Sequence, residues 1–426
     1  LHIGKRIRYL RMKNNLSQEK LAKGIISVSH LSNLESGRYS ASEETIQFLA
    51  KRLKVKASYL LDCFTANDKL EEVLAQLFFT IISEVDDTSQ ILESIDLPIK
   101  CIYQEWTYYY LQGSYYYKIN ELNHARHIEK NILPYFISTP DEIRTEFPES
   151  LKQAYYYFKG ISSYRNNQLE ASYTFFNELV EYIRHLPTVY ADMHYNLALI
   201  SYQLADYFKA KKHADSANEH FINNGDLESV ATIHNLLGTI YCDTFMYNDA
   251  LQELNKAMNI SKTLKFHRLQ ARILHNRGLV HKGLGNHSKA LDQFKKSYRL
   301  KTSMNSEFIL VTIIEIIKCH LALEQYTEAK RLARSSSQYM KTKKDYHLLT
   351  SLSGNIALQE GNQSDFIKKK KDALHYFTSN NFLKYAKGIA KELGDYYFKN
   401  KKYKNASIYY KMELNNLYEE KGGEKK

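Results

Sequence analysis

Apolar positions in the first sixty-two residues recur every three or four places and fall into five short runs. Ile3, Ile7 and Leu10 make one face of a helix over residues 2–14, with Lys5, Arg6, Arg8 and Lys13 directed elsewhere. A second helix opens at Leu16-Ser17-Gln18-Glu19-Lys20, where Ser17 can accept from the free N–H groups of the first turn, and it buries Leu21, Ala22 and Ile25. Gly24 marks a tight turn, and Ser27 through Leu34 form a third helix with Val28, Leu31 and Leu34 inward. Glu35-Ser36-Gly37 ends it, with Gly37 in the left-handed position that a residue lacking Cβ adopts most cheaply. Two more helices follow, Glu43–Leu53 over Ile46, Leu49, Ala50 and Leu53, and Ala57–Leu61.

From Lys69 to about Glu420 the pattern stays helical and becomes periodic. Segments opening at His194, His234 and His275 each carry a small residue (Ala198, Gly238, Gly278). Twelve positions on stands an Ala (Ala210, Ala250, Ala290), and seven further another small residue (Ala217, Ala257, Ser297). Two antiparallel helices approach closely only where the side chains at their crossing are small, so this spacing describes a repeated helix pair, the tetratricopeptide (TPR) pattern. Matching anchors occur at Gly113 with Ala125, Gly160 with Ser172, Ile317 with Ala329 and Gly394 with Ala406, while Gly354 with Phe366 is degenerate. The expectation is an all-α chain: a five-helix head over 1–62, a linker over 63–68, a superhelical solenoid of eight to nine pairs over 69–420, and a tail over 421–426. The ninth, irregular pair falls at 69–96.

Composition narrows the chemistry. The formal charge is +12, and residues 1–62 hold twelve Lys/Arg against five acids, which leaves +5 for the remainder and points the head toward a polyanion. No run of about 18 uncharged apolar residues suggests a membrane span, and the basic N-terminus lacks the apolar stretch of a signal peptide. Cys63, Cys101, Cys242 and Cys319 are scattered, which suits a reducing cytoplasm and neither a disulfide frame nor a metal site. Nothing calls for a cofactor. No phosphate-binding loop, HExxH, GxSxG or metal-spaced Cys/His set occurs, so an enzyme is not expected. The Tyr runs 108–110, 115–117 and 155–157 fit inter-helix packing better than base stacking, and the lysines of 368–371 and 399–404 read as solvated faces.

The stretches Leu16–Ala22 and Leu31–Gly37, with the spacing of residues 3–61, resemble the Cro/repressor-type (XRE) helix-turn-helix domains. In that geometry the third helix enters the major groove. Its outward residues are Ser27, Ser29, His30 and Asn33, of which Asn suits bidentate pairing with adenine. The resemblance places Gln18 on the DNA backbone, with Ser32, Arg38 and Lys13 as further phosphate ligands. The plainer readings are a helix cap for Ser27 and a solvated face for His30 and Ser32.

In the array, Asn196, Asn235 and Asn276 fall at nearly the same point of three first helices, Asn235 one position early. An amide offers a donor and an acceptor, so such a ladder can clasp an extended peptide backbone, although it can equally tie neighbouring helices together. Tyr164, Arg165, Tyr202, Asp243, Arg272, Lys282 and Lys318 share that register, the basic ones suited to a carboxylate. The head-plus-array layout resembles the peptide-responsive quorum-sensing regulators of Gram-positive bacteria, the PlcR, NprR, PrgX and Rgg group related to the Rap proteins, and in length the NprR branch. That resemblance implies double-stranded DNA and a short signalling oligopeptide as partners, a homodimer or higher homo-oligomer, and gene control. It also implies, as the alternative, a protein that mainly sequesters a partner such as a sporulation response regulator. The intact Leu16–Gly37 stretch favours the first reading.

Overall fold

The computed structural model describes residues 3–83, 87–135 and 147–420, and among these every regular element is a helix. The tail 421–426 lies outside the described residues. Two compact units emerge, Leu1–Asp226 and Leu227–Lys426.

The first unit opens with α1 (Ile3–Lys13), α2 (Gln18–Ala22), α3 (Val28–Glu35), α4 (Glu43–Arg52) and α5 (Ala57–Leu61). Ser17 and Ser27 cap α2 and α3 as their sequence positions suggest, accepting from the N–H groups of Lys20 and His30. Gly24 and Gly37 take positive φ at the turns (73° and 80°). Ile7, Leu10, Leu21, Leu31, Leu34, Leu49 and Leu60 close the core of the head. Val28 departs from expectation. It is 41% exposed, because it is the first residue after the cap and the inward anchoring falls to Leu31 and Leu34 alone.

The irregular pair is α6 (Asp68–Ile82) with α7 (Thr88–Ser94). Three TPR pairs complete the unit, Ile102–Lys118 with Leu122–Asn131, Glu149–Arg165 with Leu169–Tyr182, and Pro187–Gln203 with Tyr207–Asn223. The second unit holds five, Leu227–Asp243 with Tyr247–Thr263, His267–Gly283 with His287–Ser303, Ile309–Ala322 with Tyr326–Ser335, Lys343–Gln359 with Gln363–Ser379, and Leu383–Lys399 with Tyr403–Glu420.

The 40-residue period now has a physical account. Between 187 and 303 all helices are 17 residues long and are joined by three-residue turns. The middle residue of each turn is left-handed: Ala205, Gly225, Phe245, Lys265 and Gly285. The small anchors lie at the crossings. A Cβ on Gly278 would stand 2.5 Å from the Phe294 ring, and one on Gly238 2.6 Å from Leu254. Ser172 takes the Ala position by returning its hydroxyl to Gly160 O at 2.8 Å. Tyr108, Tyr110, Tyr117 and the run Tyr155–Tyr157 are buried in inter-helix layers, with Tyr110 and Tyr155 edge to face. The 368–371 lysine run is not a uniformly solvated face. Lys368 and Lys371 are exposed, but Lys370 is fully buried against Ser351 and the Glu392 carboxylate.

Candidate nucleic-acid interface and ligand face

The outer surface of the head is built around α3. Val28, Ser29, His30 and Ser32 are exposed and Asn33 is half-buried. Ser27 spends its oxygen on the His30 N–H and lies 2.9 Å from the Ser29 hydroxyl. The His30 ring stacks on Tyr39 at 5.4 Å, with the planes 12° apart, which restricts its orientation. Arg38 and Lys13 are exposed.

Two of the basic residues are committed inward. The Arg11 guanidinium makes a bidentate pair with Glu35 (Nε–Oε1 2.6 Å, Nη2–Oε2 2.9 Å) and donates to Leu16 O, while Gln18 Nε2 donates to the same carboxylate at 2.8 Å. Gln18, expected on the DNA backbone, thus spends one of its two amide N–H donors on Glu35 and keeps the other. This fork joins α1, α2 and the end of α3, and so fixes the crossing of the two central helices. Arg6, expected to point away from the core, is fully buried and ion-paired with Glu105 (2.8 Å). Arg52 donates to the Leu21 carbonyl at the end of α2 but stays exposed. The head's cationic surface is therefore smaller than its sequence charge.

In the first unit, Asn196 is half-buried and has no side-chain hydrogen bond among the described residues. Tyr164 is 38% exposed and accepts from Gln203 Nε2 at 3.1 Å. Arg165 is exposed and donates to Lys118 O, and Tyr202 is half-buried against Tyr207.

In the second unit, Asn235 and Asn276 meet. Asn276 Nδ2 donates to Asn235 Oδ1 (2.9 Å) and to Thr239 Oγ1 (3.1 Å), and Thr239 returns its own proton to Asn235 O. Asn235 is only 3% exposed, because its one-position offset turns the amide between the helices. Asn276 stays half-buried with its amide oxygen uncommitted in these bonds. Lys282 and Lys318 converge on a residue the sequence reading passed over, Glu315, which is 8% exposed. Burial works against charge on Glu315, yet Lys318 and Lys282 hold its carboxyl below the usual range. These two lysines already own a carboxylate. Arg272 and Asp243 stand exposed. Burial pushes the Cys242 and Cys319 thiols up to about 11, which disfavours the thiolate at neutral pH.

Residues 7–60 match the helix-turn-helix family and residues 229–303 the tetratricopeptide repeat family. The chain is a helix-turn-helix protein with a tetratricopeptide array. It is 27% identical over 418 residues to the transcriptional activator NprA of Geobacillus stearothermophilus, a match spanning 92% of this chain and 97% of NprA. Its fold is that of the apo quorum sensor NprR from B. thuringiensis (TM-score 0.67, 15% identity, 82% of this chain and 99% of that one). It is similarly that of NprR in complex with its cognate peptide NprX (TM-score 0.59, 14% identity, 82% and 99%). Among the described residues no helix is long and apolar enough to cross a membrane.

Proposed function

We propose that this helix-turn-helix–TPR protein is a transcription regulator that binds a palindromic operator as a homodimer and is switched by a short oligopeptide held on its array. The observation that carries the reading is the exposed outer face of α3, held in place by the Arg11–Glu35–Gln18 fork beneath it. Ser29, His30 and Asn33 supply polar contacts to base edges, and exposed Val28 adds an apolar one suited to a thymine methyl. Lys13, Ser32 and Arg38 hold the phosphates, with the remaining amide N–H of Gln18 beside them. The end-to-end similarity to a transcriptional activator supports gene control, and the fold shared with a peptide-bound quorum sensor supports the ligand class.

The ligand contacts we assign are Asn196, Tyr164, Arg165 and Tyr202 on the first unit, and Asn276, Arg272 and Asp243 on the second. A ligand carboxylate reaches Lys282 or Lys318 only by competing with Glu315. Asn235 acts through Asn276.

Selection of full-length protein against a random duplex pool tests the first half of this reading, and should enrich a two-half-site sequence. Addition of a pooled synthetic oligopeptide library should then shift its affinity for that duplex. Absence of any enriched sequence would overturn the DNA reading, and an unchanged affinity with every peptide fraction would overturn the switch.

A further inference from the structure

The joint between the head and the array is a buried ionic cluster. Arg6 on α1 is 0% exposed, and its guanidinium lies 4.3 Å above the Tyr59 ring. Nη1 donates to the carbonyls of Tyr59 (2.7 Å) and Lys100, and Nη2 donates to Glu105 Oε2 at 2.8 Å. The Tyr59 hydroxyl donates to the other oxygen of the same carboxylate. Glu105, 2% exposed, belongs to the first TPR helix, Ile102–Lys118, and Arg6 and Tyr59 belong to the head.

The same helix grips the connecting segment. Ile102 N donates to Cys63 O at 2.8 Å. Gln104 clasps the backbone of Asn67 from both sides (3.0 and 2.8 Å) and reaches Glu71. Tyr9 and Tyr109 share a hydrogen bond across the joint. Residues 63–68 are therefore held against the first repeat, and the head packs into the same compact unit as three TPR pairs.

A head on a loose tether can meet half-sites at many separations. A head locked to its array cannot, because the vector between two α3 helices then follows from how the arrays pair. Moving one half-site by a base pair rotates it by about 34° and shifts it by about 3.4 Å along the duplex, given roughly 10.5 base pairs per turn. A fixed head cannot follow such a change.

We propose that Glu105, a residue of the repeat array, is the positioning residue that sets which half-site spacing the protein accepts. The inference rests on the reading of the chain as a dimeric DNA-binding protein. Its test uses the full chain and an operator enriched from the random pool, rebuilt with half-site spacings altered by one, two and five base pairs, together with a single half-site. Wild type should show one sharp optimum, falling at least about tenfold (roughly 1.4 kcal/mol) for a one-base-pair change. Glu105→Gln leaves the Arg6 charge unmatched and loosens α1 on the array while the clasps at Cys63 and Asn67 remain, so its profile should flatten to within about threefold (roughly 0.65 kcal/mol) while single half-site affinity stays at the wild-type value. Equal loss on the single half-site and on every spacing would mark Glu105 as merely structural and overturn the proposal. A flat wild-type profile overturns it without any variant, and should Glu105→Gln fail to fold, Tyr59→Phe removes a hydrogen bond to the same carboxylate, and a profile as sharp as that of wild type in this variant overturns the proposal. Failure of wild type to bind any duplex would instead remove the underlying DNA reading.

Discussion

Truncating Asn276 to alanine separates a structural amide from a ligand-binding one. The Asn276 amide nitrogen serves both Asn235 Oδ1 and Thr239 Oγ1, and Asn235 is 3% exposed, so the truncation strands a buried amide oxygen that solvent cannot reach. An unpaired buried polar group costs about 1–3 kcal/mol, so Asn276→Ala should destabilise the second unit by that amount. Leucine is nearly isosteric with asparagine, so adding Asn235→Leu removes the stranded group and should restore most of the loss. Half-buried Asn196, which has no side-chain partner among the described residues, provides the contrast. Asn196→Ala should leave stability within about 0.5 kcal/mol, as is usual away from the core. If its amide clasps a peptide backbone, it should weaken binding about 5- to 100-fold, the worth of one or two hydrogen bonds. Denaturant titration with hydrogen exchange read at residues 227–283 resolves the stability terms, since a repeat array need not unfold in one step. Calorimetry with a peptide taken from the library supplies the binding term. An Asn276→Ala variant as stable as wild type would refute the structural link. An Asn196→Ala variant that binds the peptide normally would remove Asn196 from the ligand face.

Three further outcomes follow from the geometry. Asn33→Ala should cost roughly 1–3 kcal/mol in specific binding and relax one base-pair preference, whereas Lys13→Ala should weaken all duplexes alike and flatten the salt dependence; competition titrations at several salt concentrations distinguish the two, and identical behaviour would contradict the assignment. Gly278→Ala pushes a methyl to 2.5 Å from the buried Phe294 ring and should destabilise by about 1–3 kcal/mol, while Gly354→Ala, whose Cβ would meet nothing closer than 3.4 Å, should be neutral or stabilising by up to about 1 kcal/mol; thermal unfolding of the two variants should move in these separate directions. His194 and His213 meet Nδ1 to Nδ1 at 2.9 Å, and burial first, then neighbouring positive charge, depresses both to about 4, below their unfolded value near 6.5. The unfolded chain then binds more protons in this window, so the stabilisation is full above about pH 6.5 and is lost toward pH 4, at about 1.4 kcal/mol per pH unit for each histidine; first-unit stability that stays flat from pH 7 to 5 would contradict this.

What the sequence disclosed divides along one physical line. The repeat was legible because a crossing leaves no room: Gly238 must clear Leu254 and Gly278 must clear Phe294, so small residues recur in phase wherever helices touch. The degenerate Gly354 pair fits the same logic, since its crossing is open enough for a Cβ. The head was legible because caps and turns are local, as at Ser17, Gly24, Ser27 and Gly37. Charges behaved otherwise. Arg6 counted toward the surface charge of the head because Glu105 lies 99 positions away, and Lys282 looked available to a ligand carboxylate because Glu315 is 33 positions off. Lys318 did carry a local warning, an acid three residues before it on the same helix. The average also misled: the +5 outside the head combines 13 Lys/Arg against 23 acids over 63–226 with 34 against 19 over 227–426. A salt slope counts the phosphates neutralised at contact and not the net charge of a remote unit, so the difference between wild type and Lys13→Ala isolates the contribution of Lys13. Steric exclusion acts between residues at fixed offsets and leaves a period in the sequence. An ion pair needs only that two side chains meet once the helices have stacked, and it leaves none.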